Sequence, residues 1–518
     1  MPTSSIDRPN IVIFMTDQQR GATILPGRHR AHTPHVDRLM SEGVTFPRAY
    51  TVSPHCCPSR ASFLSGLHPS EHGVWNNVNV ANALSRGPRS GVRMWSESVA
   101  ESGYRLGFTG KWHVSNTAGP ADHGWEEWGV TARGSGAADR SEEEQREHAM
   151  RRQLTTLARR MRDDLGHRRP GEIIRPGYPE YVHYSVHPDA FGDQRVVDSA
   201  TEFIGQAAAG EEPWMVYVGT LGPHDPYQPP QEFLDMYDVN DVELPGSFTD
   251  PMTDKPALYS RIRDRFDQLT EAEHREALRH YLAFCSYQDA LFGQVHAAVA
   301  AAGQLSNTIF VYLSDHGDYA GDHGLWGKGL PSFASAYHIP LVIGGAPLDE
   351  AVHGTRSELP AMITDVGPTL LELCGVTPRH PMSGLSLADA LQGTAPAARD
   401  ELVFQTNGNE SYGNQRIVMT PRWKLVVNYF DHDELYDLES DPEEMRNLLH
   451  RERQGRTLGT DPQSPVPADL RDVVEDLYTR LWRFAIGHGD DLTDGYIVTA
   501  LGTHGPGEVA RIADRASG

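Results

Sequence analysis

Uninterrupted apolar runs recur along the chain, and polar residues follow each of them. The clearest runs cover residues 10–16, 214–220 and 308–314. A strand that is apolar at every position is buried on both faces, which is typical of a parallel sheet covered by helices. These runs predict an α/β fold built on a large, mixed and mostly parallel central sheet.

Other patterns fill in the rest of the fold. Residues 271–302 carry apolar side chains near helical spacing and predict a long helix that packs on the sheet. Residues 416–420 and 423–429 predict antiparallel strands, and residues 470–485 predict an amphipathic helix.

These elements predict three regions. We expect a large domain over residues 8–385, a smaller α+β domain with an antiparallel sheet over residues 386–485, and a tail over residues 486–518. A polar insertion at about residues 130–195 interrupts the large domain, and residues 142–162 in it predict a charged, solvated helix. The insertion is expected to shape an entrance or an oligomer contact, and the tail to contact a second subunit.

Composition narrows the classes of function. The formal net charge is −24, from 70 acidic and 46 basic residues, which disfavours nucleic acid and anionic membrane surfaces as partners. Four cysteines do not make a disulfide framework. The first residues lack the apolar core of a signal peptide, and no stretch is long and apolar enough to span a bilayer. The sequence therefore predicts a cytoplasmic protein.

Polar side chains follow two of the buried strands. Asp17 and Gln18 come after the first, and Asp315 and His316 after the third. Ligand sites in such sheets lie beyond the carboxyl ends of the strands. Asp17 alone would be interpreted as a turn residue, but a second acid at a neighbouring strand end favours a shared site.

The stretch from His55 to Gly66 combines reactive and anion-binding groups. Two cysteines precede Pro58, which predicts the first position of a helix because its missing N–H would have no partner there. A helix start attracts anions, and the guanidinium of Arg60 suits tetrahedral oxyanions. The alternative is a buried cysteine pair beside an ordinary helix start.

Three later segments carry cations and imidazoles. Lys111 and His113 follow a predicted strand over residues 106–109, and His224 lies between two prolines at another strand end. Lys328 follows a glycine-rich loop, which lets the chain approach an anion closely. Taken singly, these residues could be a surface lysine, loop histidines and a turn.

Together these segments resemble type I sulfatases. The stretch beginning at Cys56 matches the signature Cys-x-Pro-Ser-Arg-x-x-x-Leu-x-Gly, and residues 103–113 resemble Gly-Tyr-x-Thr-x-x-x-Gly-Lys-x-His with Leu106 in place of the threonine. The Pro-His-x-Pro and Ser-Asp-His-Gly…Gly-x-x-x-Lys elements follow in order. The resemblance covers residues 8–485 and implies an alkaline-phosphatase-like fold.

The resemblance also implies the chemistry. A formylglycine-generating enzyme would oxidise Cys56 to formylglycine, whose hydrated gem-diol attacks the sulfur. The implied roles of the other residues are as follows: Arg60 and Lys111 steady the diol, His224 protonates the leaving alcohol, Lys328 neutralises the sulfate and leaving oxygens, and His113 takes a proton to release sulfate.

A divalent metal is implied as well, held by Asp17, Asp315 and His316 with Gln18 as a neutral ligand or neighbour. Oxygen ligands favour Ca²⁺, with Mg²⁺ as an alternative, and the imidazole also suits Mn²⁺. Many arylsulfatases have Asp-Asp and Asp-Asn at these places. The pairing found here is similar to that of choline sulfatases and phosphonate monoester hydrolases, in which an asparagine like Asn77 lines the pocket.

The sequence thus predicts a hydrolase that cleaves a small-molecule sulfate monoester to an alcohol and sulfate. Two alternatives stay open at this stage: a phosphonate monoester or phosphodiester hydrolase on the same scaffold, and a binding protein that keeps the fold without activity. The alcohol is open among aryl, choline-like, steroid and sugar groups, and so is the oligomeric state.

Overall fold

The computed structural model describes residues 8–132, 150, 168–175, 178–394, 399–409, 411–450 and 470–491. Its strands are β1 (Asn10–Thr16), β2 (Gly43–Thr45), β3 (Ala49–Tyr50), β4 (Arg105–Lys111), β5 (Glu126–Ala132), β6 (Glu172–Arg175), β7 (Tyr178–Val182), β8 (Trp214–Gly219), β9 (Thr308–Ser314), β10 (Leu341–Gly344), β11 (Thr355–Arg356), β12 (Ala361–Met362), β13 (Leu402–Gly408), β14 (Tyr412–Met419), β15 (Trp423–Asn428) and β16 (Glu434–Asp437).

The described α-helices are α1 (Pro34–Ser41), α2 (Cys56–Ser65), α3 (Pro69–His72), α4 (Trp95–Glu101), α5 (Asp193–Ala207), α6 (Gln231–Leu234), α7 (Ala257–Arg263), α8 (Glu271–Ala301), α9 (Val366–Leu373), α10 (Ala388–Leu391) and α11 (Arg471–Gly487). None of these helices is long and apolar enough to cross a membrane.

Within the residues that the structure describes, the central sheet has eight strands in the order β11-β2-β10-β9-β1-β8-β4-β5. Strand β1 pairs in parallel with β8 and β9, and β4 pairs in parallel with β8 and β5. Strand β10 runs antiparallel to both of its neighbours. The prediction of a mixed, mostly parallel sheet flanked by helices is confirmed.

Helices cover both faces of this sheet, as the uninterrupted apolar runs predict. On β1, Ile11 and Ile13 point into the core shared with α2, α4 and α9. The alternate residues Val12 and Phe14 point into the core shared with α1, α5 and α8. Because side chains alternate across a strand, burying both faces requires apolar residues at every position.

The C-terminal part contains a separate antiparallel sheet in the order β13-β14-β15-β16, which confirms that prediction. Phe404 and Ile417 on one face join the core that contains α2, α4 and α9. Val418 and Leu425 on the other face pack against α11. The smaller sheet is thus fixed between the large core and the last helix, while the predicted domain boundaries stay predictions.

Three details differ from the sequence predictions or lie beyond them. Helix α2 begins at Cys56, so Pro58 is its third residue and not its first. A proline fits there because the N–H groups of a first helical turn have no partner within the helix.

The predicted helix over residues 142–162 and most of the tail lie outside the described residues, whereas the hairpin β6–β7 is described within the polar insertion.

Candidate active site

The carboxyl ends of four neighbouring parallel strands form the candidate active site. Asp17 follows β1, Lys111 ends β4, Asp315 follows β9, and the segment after β8 carries His224. Parallel neighbours end at the same edge of a sheet, so residues far apart in sequence meet there.

Cys56 lies at the positive end of α2, with 1% of its side chain exposed. Its Sγ is 3.2 Å from His316 Nε2 and 3.8 Å from Asp17 Oδ1. Burial alone would raise the pKa of the thiol, but Lys111 and Lys328 lower it well below its usual range. The Asn77 side-chain oxygen accepts a 3.1 Å hydrogen bond from the backbone N–H of Cys57 and so fixes the helix start.

Three further candidate ligand atoms lie beside this thiol. Atoms of Asp17, Cys56, Asp315 and His316 lie within 4.8 Å of one another, and all four residues are buried. Like charges this close and this buried repel unless cations compensate for them. Two carboxylates and one imidazole fit a hard divalent cation or Mn²⁺, so the residues present are compatible with the implied metal.

Arg60 is already engaged with the two carboxylates. Its Nε lies 2.8 Å from Asp315 Oδ2, and its Nη2 lies 3.3 Å from Asp17 Oδ2. Its Nη1 donates to the Lys111 carbonyl and to the Tyr217 hydroxyl, at 3.1 and 2.8 Å. The buried guanidinium therefore orients the candidate metal ligands, a role that sequence reasoning did not give it.

Lys111 and His113 both face the same centre, as expected from their spacing. Lys111 Nζ donates to Asp17, and although burial opposes its charge, Asp17 and Cys56 raise its pKa. Burial and then Lys111 lower the pKa of His113, and Cys56 acts in the opposite direction. His113 Nε2 lies 2.9 Å from the Asn79 side-chain oxygen.

Lys328, His224 and Gln18 form a connected group. Lys328 Nζ lies 2.6 Å from Gln18 Oε1 and 2.7 Å from His224 Nε2. His224 Nδ1 lies 2.6 Å from the Asp225 carbonyl oxygen and donates to it in the neutral ring. Burial and then Lys328 lower the pKa of His224. The amide oxygen of Gln18 is thus used by Lys328 in this arrangement.

Sequence reasoning missed two carboxylates behind Gln18. The Gln18 amide nitrogen donates to Asp225 at 3.1 Å and to Asp318 at 2.6 Å. Tyr181, from the hairpin of the polar insertion, donates to Asp225, and Tyr227 donates to Asp318 at 2.6 Å. The position of Asp318 two residues after His316 was a usable signal, but nothing in the insertion pointed to Tyr181.

Comparisons with known proteins agree with this geometry. The family model described as Sulfatase matches residues 9–376, and a model described as N-sulphoglucosamine sulphohydrolase, C-terminal, matches residues 321–459. A choline-sulfatase of Rhizobium meliloti is 28% identical over 92% of this chain and 87% of its own length. An arylsulfatase of Clostridium perfringens is 27% identical over 86% of this chain and 91% of its own length.

Among solved structures, the phosphonate monoester hydrolase of Agrobacterium radiobacter superposes with a TM-score of 0.69. The superposition covers 93% of this chain and 96% of the other, at 20% identity. At that identity the likeness establishes the shared fold and leaves the reaction to be argued from the site.

Proposed function

This chain belongs to the sulfatase family and is a sulfuric ester hydrolase, and from that premise we propose how it works. It cleaves a small-molecule sulfate monoester to an alcohol and sulfate, using a formylglycine made from Cys56 and one divalent metal ion. The observation that carries the proposal is that buried Cys56 lies close to the buried side chains of Asp17, Asp315 and His316.

Asp17, Asp315 and His316 would hold the metal, with Ca²⁺ favoured over Mg²⁺ and Mn²⁺. When bound, the metal supplies positive charge against the sulfate oxygens, and formylglycine supplies a nucleophilic hydroxyl at position 56. Arg60 keeps both carboxylates turned toward the site. The pocket is thereby organised before substrate arrives, which is the main source of electrostatic catalysis.

The cationic and imidazole side chains then have separate tasks. Lys111 and Lys328 offset negative charge that develops beside residue 56, in keeping with the effect of both on the thiol of Cys56. His224, once protonated at the Nε2 atom that faces Lys328, gives that proton to the leaving oxygen and returns to its neutral form. His113, whose pKa responds to the nearby Cys56, withdraws the proton that allows sulfate to leave. Asn77 holds the start of α2 in place.

The test joins mass spectrometry with kinetics. Protein produced together with a formylglycine-generating enzyme and supplied with Ca²⁺ should carry formylglycine at position 56 and hydrolyse 4-nitrophenyl sulfate. A chelator should remove the activity, and Ca²⁺, Mg²⁺ and Mn²⁺ added back separately should identify the metal. An unmodified thiol in fully active protein would refute the proposal.

The same preparation distinguishes the rival reaction. We expect 4-nitrophenyl sulfate to be turned over with a higher kcat/KM than 4-nitrophenyl phenylphosphonate. A preference for the phosphonate would instead assign the chain to phosphonate monoester or phosphodiester hydrolysis, which uses a similar in-line displacement.

A further inference from the structure

A cleft adjoins the active site at Lys328 and has no role in the chemistry above. Its lining includes His55, Trp326, Lys328, Leu330, Asn409 and Ser411. His55 immediately precedes Cys56, and Lys328 contacts the proton donor His224. A group bonded to the leaving oxygen would therefore lie in or beside this cleft.

The cleft is built jointly by the two sheets. Asn409 and Ser411 come from the loop between β13 and β14. The Asn409 side-chain oxygen accepts a 3.0 Å hydrogen bond from the Asn77 backbone N–H, and its carbonyl accepts one of 2.6 Å from the Asn82 side chain. These bonds hold the loop against the large domain, so the cleft is formed before a ligand binds.

His55 is an unusual residue in this lining. Its side chain is 3% exposed, and neither ring nitrogen has a hydrogen-bond partner among the described residues. Burial, and then Lys328 and His316, lower its pKa to about 3, so the ring is neutral. A neutral imidazole offers one donor and one acceptor. Buried polar groups without partners are rare in native proteins. The two unpartnered ring nitrogens of His55 belong to a residue that lines a cleft, where a ligand could supply the missing partner.

Hydroxyl groups are the chemistry that matches this ring. A hydroxyl can donate to the unprotonated imidazole nitrogen or accept from the protonated one, whereas a carboxylate only accepts and a trimethylammonium group does neither. Asn409 and Ser411 add further polar groups, and Trp326 and Leu330 offer apolar surface to the C–H groups of a ring. This mixture of a few polar groups on an apolar wall is typical of a small-molecule site.

On the basis of the proposed function, we infer that the leaving alcohol is polyhydroxylated, as in a carbohydrate, and that His55 recognises a hydroxyl next to the sulfated carbon. His55 is then a specificity-determining residue, and the loop carrying Asn409 makes the C-terminal sheet part of substrate recognition.

The experiment compares two esters that differ by one hydroxyl, the monosulfate of trans-1,2-cyclohexanediol and cyclohexyl sulfate. The wild-type protein, carrying formylglycine and metal, should favour the hydroxylated ester in kcat/KM by about 10- to 100-fold, the value of one or two hydrogen bonds. In His55→Phe this ratio should fall to about 3 or less, and His55→Gln, which keeps a donor and an acceptor, should restore part of it.

His68→Phe is the matched control. His68 is also buried, with 5% of its side chain exposed and Nδ1 unpaired among the described residues, but it packs against Phe484 and does not line the cleft. It should keep the wild-type ratio. Monosulfates of methyl glucoside should likewise exceed choline sulfate and cyclohexyl sulfate in kcat/KM.

The inference is overturned if choline sulfate or cyclohexyl sulfate is the better substrate, or if His55→Phe keeps the wild-type ratio. Those outcomes leave sulfate ester hydrolysis intact. If the protein with formylglycine and metal hydrolyses no sulfate ester, the proposed function itself fails, and the inference fails with it.

Discussion

Cys56 Sγ lies 3.2 Å from His316 Nε2, although 260 positions separate the two residues in sequence. The contact forms because α2 begins at Cys56 and β9 ends just before Asp315 at the same edge of the central sheet. A thiol in this position is surrounded by candidate metal ligands and two lysines. The chemical state of this one side chain should therefore decide activity.

Cys56→Ala and Cys57→Ala should separate the nucleophile from its neighbour. Loss of the nucleophile should lower kcat toward 4-nitrophenyl sulfate by about 10⁴-fold or more. Cys57 is fully buried in the large core, and burial raises the pKa of its thiol, so Cys57→Ala should cost stability and keep kcat within about tenfold. Steady-state kinetics normalised to the formylglycine content provide the measurement. Activity in Cys56→Ala would contradict the assignment.

Arg60→Lys should weaken metal binding as well as catalysis. The guanidinium bonds Asp315 and Asp17 through different nitrogens, and a lysine cannot reproduce that fork. Removing such an orienting partner typically costs about 10- to 100-fold in metal affinity. Titration of the metal-free protein with Ca²⁺ measures the change.

A remote pair supplies the control for Arg60. Arg399 makes two hydrogen bonds, of 2.6 and 2.8 Å, to the buried carboxylate of Asp365. Arg399→Lys should lower the melting temperature and leave Ca²⁺ affinity unchanged. Equal losses of affinity in Arg60→Lys and Arg399→Lys would show that the effect is one of general stability.

The strands that position the site were predictable from the sequence. The predicted run over residues 308–314 coincides with β9 (Thr308–Ser314), and residues 10–16 coincide with β1 (Asn10–Thr16). The first and last residues of a strand buried on both faces can be recognised from the apolar run alone, because water is excluded along the whole strand. Asp17 and Asp315 come directly after those two strands, whereas Lys111, predicted to follow a strand over residues 106–109, is the last residue of β4.

Contacts made by side chains over long distances could not be predicted in this way. The sequence predicts Gln18 as a metal ligand or neighbour, and the structure shows its amide between Lys328 and the carboxylates of Asp225 and Asp318. The periodicity of apolar residues predicts which face of an element is buried, but it does not predict the hydrogen-bond partners of a buried amide side chain. The hydrogen bond between Asn409 and Asn77 could not be predicted for the same reason, because it connects the loop between β13 and β14 with the large domain.

Gln18→Leu should impair leaving-group departure, because the Gln18 amide oxygen accepts from Lys328 at 2.6 Å and holds it beside His224. We expect the loss in kcat to be about tenfold for alkyl sulfates and smaller for 4-nitrophenyl sulfate, whose leaving group needs little protonation. A series of aryl and alkyl sulfates measures this as a steeper dependence of rate on leaving-group pKa.

Gln19→Leu is the control for this change. Gln19 is also fully buried, and its side chain bonds Thr23 and Tyr312 instead of the catalytic lysine. Gln19→Leu should lower stability without changing the leaving-group dependence. The positioning role of Gln18 would be refuted if both variants gave the same dependence as the wild type.

Asp289 should make stability depend on pH independently of the active site. Its carboxylate accepts hydrogen bonds of 2.7 and 3.2 Å from the N–H groups of Val36 and His35 at the start of α1. Burial raises the pKa of Asp289 to about 7. The folded state therefore holds a proton on Asp289 that the unfolded state has lost, in the range between the ordinary value of 3.8 and about 7.

Because the folded state binds the extra proton, the contribution of Asp289 to the free energy of unfolding falls as pH rises through this window. The slope cannot exceed about 1.4 kcal/mol per pH unit, and it vanishes above pH 7. Asp289→Asn removes this titration. The free energy of unfolding of the variant minus that of the wild type, measured by urea denaturation, should therefore increase from pH 5 to pH 7. A difference between wild type and Asp289→Asn that stays constant or changes in the opposite direction over this range would show that Asp289 is charged in the folded state throughout.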